Sequence, residues 1–404
     1  MRVLLMSHAY PPITSGVTVV VSKTAHEMHR RGHEVAVVTA SETGSPYETI
    51  EDGVRVIRVH SLPNPYWPAA RVPVTDLDTL EEVIGNVAPD LIHSHESAWL
   101  GIQLTRMRRS NQIPLLATCH FIPTFVTRYI GPEWSADAVE RVTWRLAVAL
   151  LNRYDTVVFP TATQRDAFVR EGLRAPTRVI SNGVDTTRYH PSMGKTHLSW
   201  KSNLPEGPKV LAVGRVAKDK HIDVLVRALA NMPASEAHLI LAGDGPERSH
   251  LEELARESHV EHKIHFLGHV PESDLPELYR RCDVYAISSP YEVQSIPTLQ
   301  ALATGLPVVA VNAGSLPELV TDGVNGFLVR PDDPLAMGTA LVTILADKKR
   351  AAAFSRNSLK AVEPHAEKLT FDSYEGLYEQ AAAAALTVVE RGAKPEPSTE
   401  SSTA

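Results

Sequence analysis

Short apolar runs alternate with helix-like segments along most of the chain, and this alternation constrains the fold more than any other feature. The runs share a small size and a richness in Val, Leu and Ile, as in Val3–Met6, Val35–Thr39, Leu115–Thr118, Val210–Val213, Val284–Ile287 and Val308–Val311. Bounded runs separated by helices of about 10–15 residues are typical of βαβ units. The sequence therefore predicts an α/β fold in which two series of strands form two Rossmann-like parallel-sheet domains.

The length of the chain supports the same division, because 404 residues exceed the roughly 250–300 that one hydrophobic core usually organises. We predict a first domain over residues 1–190 and a second over 191–370. The polar, Pro-containing stretch Tyr189–Pro208 is interpreted as the linker between them. Residues 371–390 have high helix propensity, and residues 391–404, rich in Pro, Ser, Thr and Glu, are expected to be disordered.

Composition excludes some functions and indicates a compartment. A net charge of −7 does not indicate a general binder of nucleic acid or anionic membranes. Cys119 and Cys282 fit no metal spacing and are expected to be buried thiols in a reducing compartment. Met1–Ser7 is too short for a signal sequence. We expect a cytoplasmic protein with at most peripheral contact at the inner membrane face, and its oligomeric state is left open.

The segment YAISSPYEVQSIPTLQALATGLPVVAVNAG (285–314) gives the strongest functional signal. An apolar strand is expected to end at the carboxylate of Glu292, and a helix to begin at about Ser295–Pro297. Helix amides at the carboxyl end of a parallel sheet favour an anion. A carboxylate beside an anion site suits a ligand with hydroxyls and phosphates, such as a sugar nucleotide. Ser295 and Ile296 at the helix start are therefore candidate ligand-binding residues.

Two further loops carry candidate diphosphate contacts. Ser15 and Gly16 follow the first strand, where small residues let the backbone approach a phosphate closely. Arg215 and Lys220 follow Gly214, and both cations could reach one diphosphate. An ordinary βα loop is the alternative in each case. The pattern G-x-G-x-x-G is absent from the first loop, and LAGDGP (241–246) lacks its third glycine, which counts against an NAD enzyme.

Histidines and acidic pairs give weaker signals. His120 ends a strand at the expected cleft, where it could hydrogen-bond a sugar or merely cap its neighbours. His93 and His95 end the preceding strand and are weaker candidates. Asp76-Leu77-Asp78 matches the short D-x-D metal pattern, but acidic residues also suit a helix start, and no metal is expected. Residues 105–109 (TRMRR) are interpreted as a solvent-exposed helix face rather than a lipid-binding patch.

Taken together, these motifs resemble the family 4 retaining glycosyltransferases, which have the two-domain GT-B fold. The resemblance covers residues 1–385. The matching segments occur in the family's order and are MRVLLMSHAYPPITSG, RRGHEV, PDLIHSH, ATCH, SNGVD, VGRVAKDK, LAGDGPE, FLGHV and the 292–300 motif.

The resemblance implies roles for the candidate residues. Gly16 would contact the donor diphosphate through its backbone, and Arg215 and Lys220 would hold the same group. Glu292 would bind hydroxyls of the donor sugar, and His120 would reach that sugar from the first domain. Gly268 to Val270 would lie beside the base. The C-terminal helix would cross back to brace the first domain.

This chain departs from the family pattern at three positions. Gln300 stands where a second glutamate usually holds the ribose hydroxyls, so a charge-assisted hydrogen bond is lost. Ser295 replaces a glycine, and His221 replaces the glycine that normally follows Lys220. These changes bear on donor identity and affinity rather than on the fold.

The function that the resemblance implies is transfer of a hexosyl or N-acetylhexosaminyl group, with retention and without a metal or other cofactor. A UDP-sugar is favoured as donor and GDP-mannose follows. The acceptor would be a hydroxyl of a lipid, saccharide or natural product, bound near Phe121–Trp134. The alternatives are a UDP-sugar 2-epimerase of the same fold and a catalytically weak nucleotide-sugar-binding protein. A phosphorylase-like enzyme would need a pyridoxal-bearing lysine and a longer chain.

Overall fold

The computed structural model describes residues 1–13, 15–64, 71–96, 99–107, 113–126, 136–192, 204–232 and 235–392. Within these residues the strands of the first half are β1 (Arg2–Met6), β2 (Glu34–Ala40), β3 (Tyr47–Glu51), β4 (Val54–Val59), β5 (Ser61–Pro63), β6 (Arg71–Pro73), β7 (Leu91–Ser94), β8 (Leu115–Thr118), β9 (Thr156–Phe159) and β10 (Thr177–Val179). The helices of this half are α1 (Gly16–Arg30), α2 (Leu77–Val87), α3 (Trp99–Met107), α4 (Pro123–Val126), α5 (Ala136–Leu151) and α6 (Ala162–Arg170).

The first sheet has the strand order β10-β9-β8-β7-β1-β2-β4-β3. All its neighbouring strands are parallel except β3, which pairs antiparallel with β4 at the edge. The central strands are apolar and buried on both faces because helices cover each side. The edge strand β3 was not predicted, since its residues are polar and half exposed. Strands β5 and β6 were not predicted because each has only three residues.

In the described residues of the second half, the strands are all parallel and are β11 (Lys209–Val213), β12 (His238–Ala242), β13 (Ile264–Gly268), β14 (Val284–Ile287), β15 (Val308–Val311) and β16 (Gly326–Val329). Its helices are α7 (Ile222–Ala230), α8 (Arg248–Glu257), α9 (Leu275–Arg280), α10 (Ile296–Ala303), α11 (Leu316–Leu319), α12 (Pro334–Ala346), α13 (Lys348–Val362) and α14 (Glu367–Gly392). The sheet order is β13-β12-β11-β14-β15-β16. The predicted α/β class with two Rossmann-like sheets is confirmed.

The last helix, α14, packs on the first sheet rather than the second. Its residues Tyr374 and Tyr378 are buried in one core with Val3, Leu5 and Leu91 of that sheet. The helix begins at Glu367, earlier than the expected Phe371, and the Glu367 amide donates to the Val184 carbonyl at 2.9 Å. The chain therefore passes between the two sheets twice, along neighbouring segments.

Loops at the carboxyl ends of the two sheets touch each other. Thr161, which follows β9, donates from its hydroxyl to the carbonyl of Val293, which follows β14, at 3.1 Å. The Asn182 amide, after β10, donates to Gln294 Oε1 at 2.7 Å. The two carboxyl edges thus face each other across a cleft. Among the described helices, none combines the length and the hydropathy that a membrane span requires.

Candidate functional site

The second sheet creates a binding position where β11 and β14 lie side by side. The chain leaves these two strands toward opposite edges of the sheet, so the loops after them separate and open a crevice. The first loop contains Gly214, Arg215 and Lys220, and the second contains Glu292. The sequence predicts that Glu292 lies at the end of β14. The strand instead ends at Ile287, so Glu292 lies within the following loop.

Lys220 and Glu292 form an ion pair across this crevice. The Lys220 ammonium donates to Glu292 Oε1 at 2.7 Å. The Glu292 side chain is 12% exposed and that of Lys220 is 30% exposed, so the pair is largely shielded from water. The backbone carbonyl of Glu292 accepts hydrogen bonds from the amide and hydroxyl of Ser315, at 3.2 and 2.8 Å. Glu292 is therefore held at its backbone carbonyl by Ser315 and at its carboxylate by Lys220.

Asp219 organises the two cations of the first loop. Arg215 Nη2 donates to Asp219 Oδ1 at 3.0 Å, and Lys220 Nζ lies 3.9 Å from Asp219 Oδ2. Asp219 is buried, whereas the Arg215 side chain is 48% exposed and keeps donors available toward solvent. The hydroxyls of Ser288 and Ser289 donate to the carbonyls of Lys220 and Asp219. Sequence reasoning missed Asp219, although a carboxylate between two cations is itself a signal.

The glycines of the candidate phosphate-binding loops and of LAGDGP fall into two groups. A Cβ added at Gly16 or at Gly214 would meet no atom within 4 Å, so both backbones face open space. By contrast, a Cβ at Gly243 would lie 1.9 Å from the Gly214 carbonyl oxygen, and one at Gly245 would lie 2.2 Å from that of Val216. The glycines of LAGDGP therefore let two loops pack closely, while Gly16 and Gly214 leave room for a ligand.

The loop between β1 and α1 is fixed at both ends. Ser15 caps α1, with its hydroxyl accepting from the Thr18 amide at 3.1 Å. The buried Arg58 donates to the Pro11 carbonyl at 2.6 Å and pairs with Glu42 and Glu51. The backbone at Gly16 is thereby presented at the start of α1. Asp76 likewise caps α2 through the Thr79 amide, which accounts for the D-x-D pattern as a helix start.

His120 lies just past β8 and is hydrogen-bonded to His95, with His120 Nε2 at 2.9 Å from His95 Nδ1. Burial lowers the pKa of His120 to about 4, and the nearby charge of His8 acts in the same direction. The imidazole is therefore neutral at physiological pH and can donate or accept a hydrogen bond. Gln164 Nε2 donates to the carbonyls of Cys119 and Phe121, which fixes the backbone on both sides of His120.

His93 has a structural role. Its Nδ1 lies 2.6 Å from the Tyr378 hydroxyl of α14, and its Nε2 lies 2.7 Å from Thr118 Oγ1. The side chain is fully buried, and burial lowers its pKa to about 3. His93 therefore docks the last helix on the first sheet and does not reach the cleft.

The residues assigned to the base and ribose are arranged differently. Gly268 ends β13 with φ +67°, and the Val270 side chain is buried in the second core, so Val270 could contribute only its backbone. Gln300 Oε1 accepts from the Tyr279 hydroxyl, and Gln300 Nε2 donates to the Tyr189 hydroxyl, both at 3.0 Å. The amide that replaces the family's glutamate is thus bound by two tyrosines.

The other two substituted positions have local explanations. Ser295 is 1% exposed and caps α10, its hydroxyl accepting from the Thr298 amide at 3.2 Å. Ile296 is the first residue of that helix. His221 has φ +48°, a left-handed conformation that favours glycine, and its Nδ1 lies 2.8 Å from Asp332 Oδ1. The hydrogen bond to Asp332 holds His221 where the family has glycine.

Parts of the candidate site lie outside the described residues. The expected acceptor segment Phe121–Trp134 is described only as far as residue 126, and Thr14 and residues 108–109 are also outside. Among the residues that the structure does describe, no group of three His, Cys, Asp or Glu side chains is placed to hold a metal ion.

Comparisons with known proteins agree with this architecture. Residues 195–361 match the family described as glycosyl transferases group 1, and residues 14–188 match Glycosyltransferase Family 4. The chain is 30% identical over 391 residues to D-inositol 3-phosphate glycosyltransferase of Nocardia farcinica, with 91% of this chain and 85% of that protein aligned.

Solved structures show the same fold at lower identity. Sucrose-phosphate synthase from Thermosynechococcus elongatus aligns with a TM-score of 0.79 at 24% identity, covering 95% of this chain and 99% of that one. Anabaena HepE in complex with UDP-glucose aligns with a TM-score of 0.70 at 21% identity, covering 95% and 99%. The two facing Rossmann-like domains have the GT-B fold. The chain belongs to the family 4 glycosyltransferases, and it is a transferase enzyme.

Proposed function

We propose that this enzyme transfers a hexosyl or N-acetylhexosaminyl group from a nucleotide sugar to a hydroxyl group, with retention of anomeric configuration and without a metal. The observation that carries the proposal is the cluster of Arg215, Asp219, Lys220 and Glu292 at the β11–β14 crevice. Two cations, the Asp219 carboxylate that orients them and the Glu292 carboxylate match a ligand with a diphosphate next to sugar hydroxyls.

The cations would bind the leaving group. Arg215 offers a planar fork of donors and stays half exposed, and Lys220 supplies a point charge beside it. Both would stabilise the negative charge that develops as the nucleoside diphosphate departs. The open backbone at Gly214 and Gly16 allows the diphosphate to approach within hydrogen-bond distance of main-chain amides.

The reaction itself would proceed on one face of the donor sugar. The acceptor oxygen forms a bond to the anomeric carbon while the bond from that carbon to the diphosphate oxygen breaks. The acceptor's proton passes to the departing phosphate oxygen, so charge and atoms balance without a protein nucleophile. Glu292 would accept hydrogen bonds from the sugar hydroxyls, and closure of the two domains would exclude water.

His120 would contact the same sugar from the first domain. Its low pKa keeps it neutral, so it would act as a hydrogen-bonding group and not as a cation. His120 and Glu292 thus approach the donor from opposite domains.

The donor class is proposed from the structural neighbours and the acceptor class from the relatives. Anabaena HepE is solved with UDP and with UDP-glucose, which favours a uridine nucleotide, with GDP-mannose as the second candidate. The Nocardia relative is named for a phosphorylated inositol acceptor. We therefore favour an acceptor hydroxyl on a polyol, a saccharide or a lipid headgroup.

Calorimetric titration of UDP, GDP and ADP in EDTA tests the donor site. Wild type is expected to bind one of them, and Arg215→Ala to weaken that binding about tenfold or more because a charge-assisted contact is lost. Arg227→Ala is the matched control, since Arg227 is an exposed arginine on α7.

The failure of wild type to bind any of the three nucleotides would contradict the proposal. Release of UDP and an altered sugar from a UDP-sugar, with no acceptor present, would instead indicate a 2-epimerase. Nucleotide binding without turnover on any donor would indicate a binding protein.

A further inference from the structure

The first turn of α6 connects the two sides of the cleft through four consecutive residues. Thr161 and Gln164 each form a side-chain hydrogen bond to a segment that carries a candidate site residue. Ala162 and Thr163 donate through their amides to Glu318 of α11. The roles proposed for Glu292 and His120 as ligands of the donor sugar do not by themselves explain these contacts. We propose that this turn, together with Glu318 of α11, positions Glu292 relative to His120, so that Glu318 is a positioning residue for the transfer reaction.

Glu318 belongs to the second domain but caps a helix of the first. Its Oε1 accepts from the Thr163 amide at 2.6 Å, and its Oε2 accepts from the Ala162 amide at 3.1 Å. Amides in the first turn of a helix have no partner within the helix, and the helix dipole favours a carboxylate there. The two oxygens of one carboxylate therefore fix the direction in which α6 meets the second domain.

The same contact reaches Glu292 through a short segment. Glu318 lies one helical turn after Ser315, whose amide and hydroxyl hold the carbonyl of Glu292. On the other side of Glu292, the Val293 carbonyl accepts from the Thr161 hydroxyl. Glu292 is thus flanked by two attachments to the α6 turn, one direct and one through α11.

Gln294 adds a second link between the domains beside the first. Its Oε1 accepts from the Asn182 amide at 2.7 Å and from the Ser181 hydroxyl at 3.3 Å. The Ser181 hydroxyl is also 2.9 Å from His365 Nδ1. Burial lowers the pKa of His365, and the negative charge of Glu318 partly offsets that effect.

On the opposite side, the α6 turn holds His120. Gln164 is 1% exposed, and its amide nitrogen donates to the carbonyls of Cys119 and Phe121, at 3.2 and 2.8 Å. These carbonyls flank His120. One turn of helix therefore sets the backbone of His120 in the first domain and receives the Glu292 segment from the second. A shift of α6 would change the separation of the two groups proposed to contact one sugar.

The positioning role rests on the proposed function, and Glu318→Gln tests it with little change in shape. An amide cannot accept from two backbone amides with both of its ends, so one of the two contacts is lost. We expect kcat to fall about tenfold, since small misplacements of reacting groups cost large factors in rate. The dissociation constant for UDP is expected to stay within about twofold, since no hydrogen bond or ion pair among the described residues joins Glu318 to Arg215 or Lys220. Glu318→Asp is expected to restore part of kcat.

Amide hydrogen exchange supplies a readout that does not depend on activity. Exchange at Ala162 and Thr163 is expected to be faster in Glu318→Gln and unchanged in Glu257→Gln, a control at an exposed glutamate on α8. Unchanged exchange would contradict the interdomain contact. Faster exchange with wild-type kcat would contradict the positioning role. If wild type transfers no sugar, the proposed function is contradicted and the positioning role falls with it. Faster exchange in Glu318→Gln would in that case still establish the interdomain contact.

Discussion

The Lys220 ammonium and the Glu292 carboxylate lie 2.7 Å apart across the β11–β14 crevice, although 72 residues separate them in the chain. Sequence reasoning assigns one to the diphosphate and the other to the sugar of a donor. Their pairing means that the two proposed roles would be electrostatically coupled, because the carboxylate offsets the charge that would attract the phosphates.

This coupling predicts opposite effects on binding and turnover in Glu292→Gln. Removal of the carboxylate charge leaves Lys220 free to attract a diphosphate, so UDP affinity is expected to rise by about threefold. Turnover is expected to fall by about a hundredfold, because hydrogen bonds to the sugar are weakened in the transition state. Calorimetry and steady-state kinetics measure the two effects. Weaker UDP binding in Glu292→Gln would contradict the coupling.

Gly16 faces open space, so its importance is expected to appear only when a donor is present. Gly16→Ala adds a methyl group that meets no protein atom within 4 Å and lies in a helix, where alanine is favoured. Thermal stability is expected to be unchanged or higher, while donor affinity falls about tenfold because the methyl group obstructs the diphosphate. Gly85→Ala in α2 is the matched control, since it is equally unobstructed but lies outside the cleft. Equal donor affinity in both variants would contradict the placement of the diphosphate at Gly16.

Gly314 supports the Glu292 loop by close approach. Its φ is +57°, and an added Cβ would lie 2.9 Å from the Glu292 carbonyl oxygen and 3.1 Å from that of Pro290. Gly314→Ala is expected to lower the free energy of unfolding by about 2–3 kcal/mol, through backbone strain plus steric displacement, and to abolish most transfer activity. Gly323→Ala has a similar φ, +70°, but no atom within 4 Å, so it should cost about 1 kcal/mol and keep activity. Denaturant unfolding of both variants measures the difference, and equal costs would show that the steric contact at Gly314 is unimportant.

The buried carboxyl of Glu96 predicts a specific pH dependence of stability. Burial raises its pKa from 4.5 to about 7 in the folded protein. Between these values the folded state holds a proton that the unfolded chain has released, so this group's contribution to stability falls as the pH rises, by at most about 3 kcal/mol. Glu96→Gln is therefore expected to gain stability relative to wild type between pH 5 and pH 8, whereas Glu82→Gln, at an exposed position on α2, should not. Denaturant unfolding at both pH values measures this gain, and its absence would show that Glu96 ionises normally.

The alternation of apolar runs predicted the fold well because buried parallel strands are the strongest pattern a sequence carries. Val308–Val311, for example, is expected and observed as a strand with the same bounds. The edge strand β3 lacks that pattern, since its residues are polar and half exposed. Glu292 was expected at a strand end, but polar residues after Ile287 extend the loop.

Contacts between distant segments could not be predicted. Motifs indicated Lys220 and Glu292 separately, and only the fold places them in contact. The same holds for Glu318, whose partners Ala162 and Thr163 lie in the other domain. Local hydrogen bonds were easier to predict from the sequence. Ser295, for example, was expected at a helix start, and it caps α10. The tyrosines that bind Gln300 come from two separate segments, which no local pattern indicates.

The measurement that tests the account most directly follows transfer from UDP-glucose by proton NMR, in EDTA, with a mixture of polyol and glycerolipid acceptors. Proposed retention and independence from metal predict that UDP is released and that the first product formed carries glucose in the α configuration of the donor. A product of β configuration, or transfer that appears only after a divalent cation is added, would contradict the proposed metal-independent, retaining transfer.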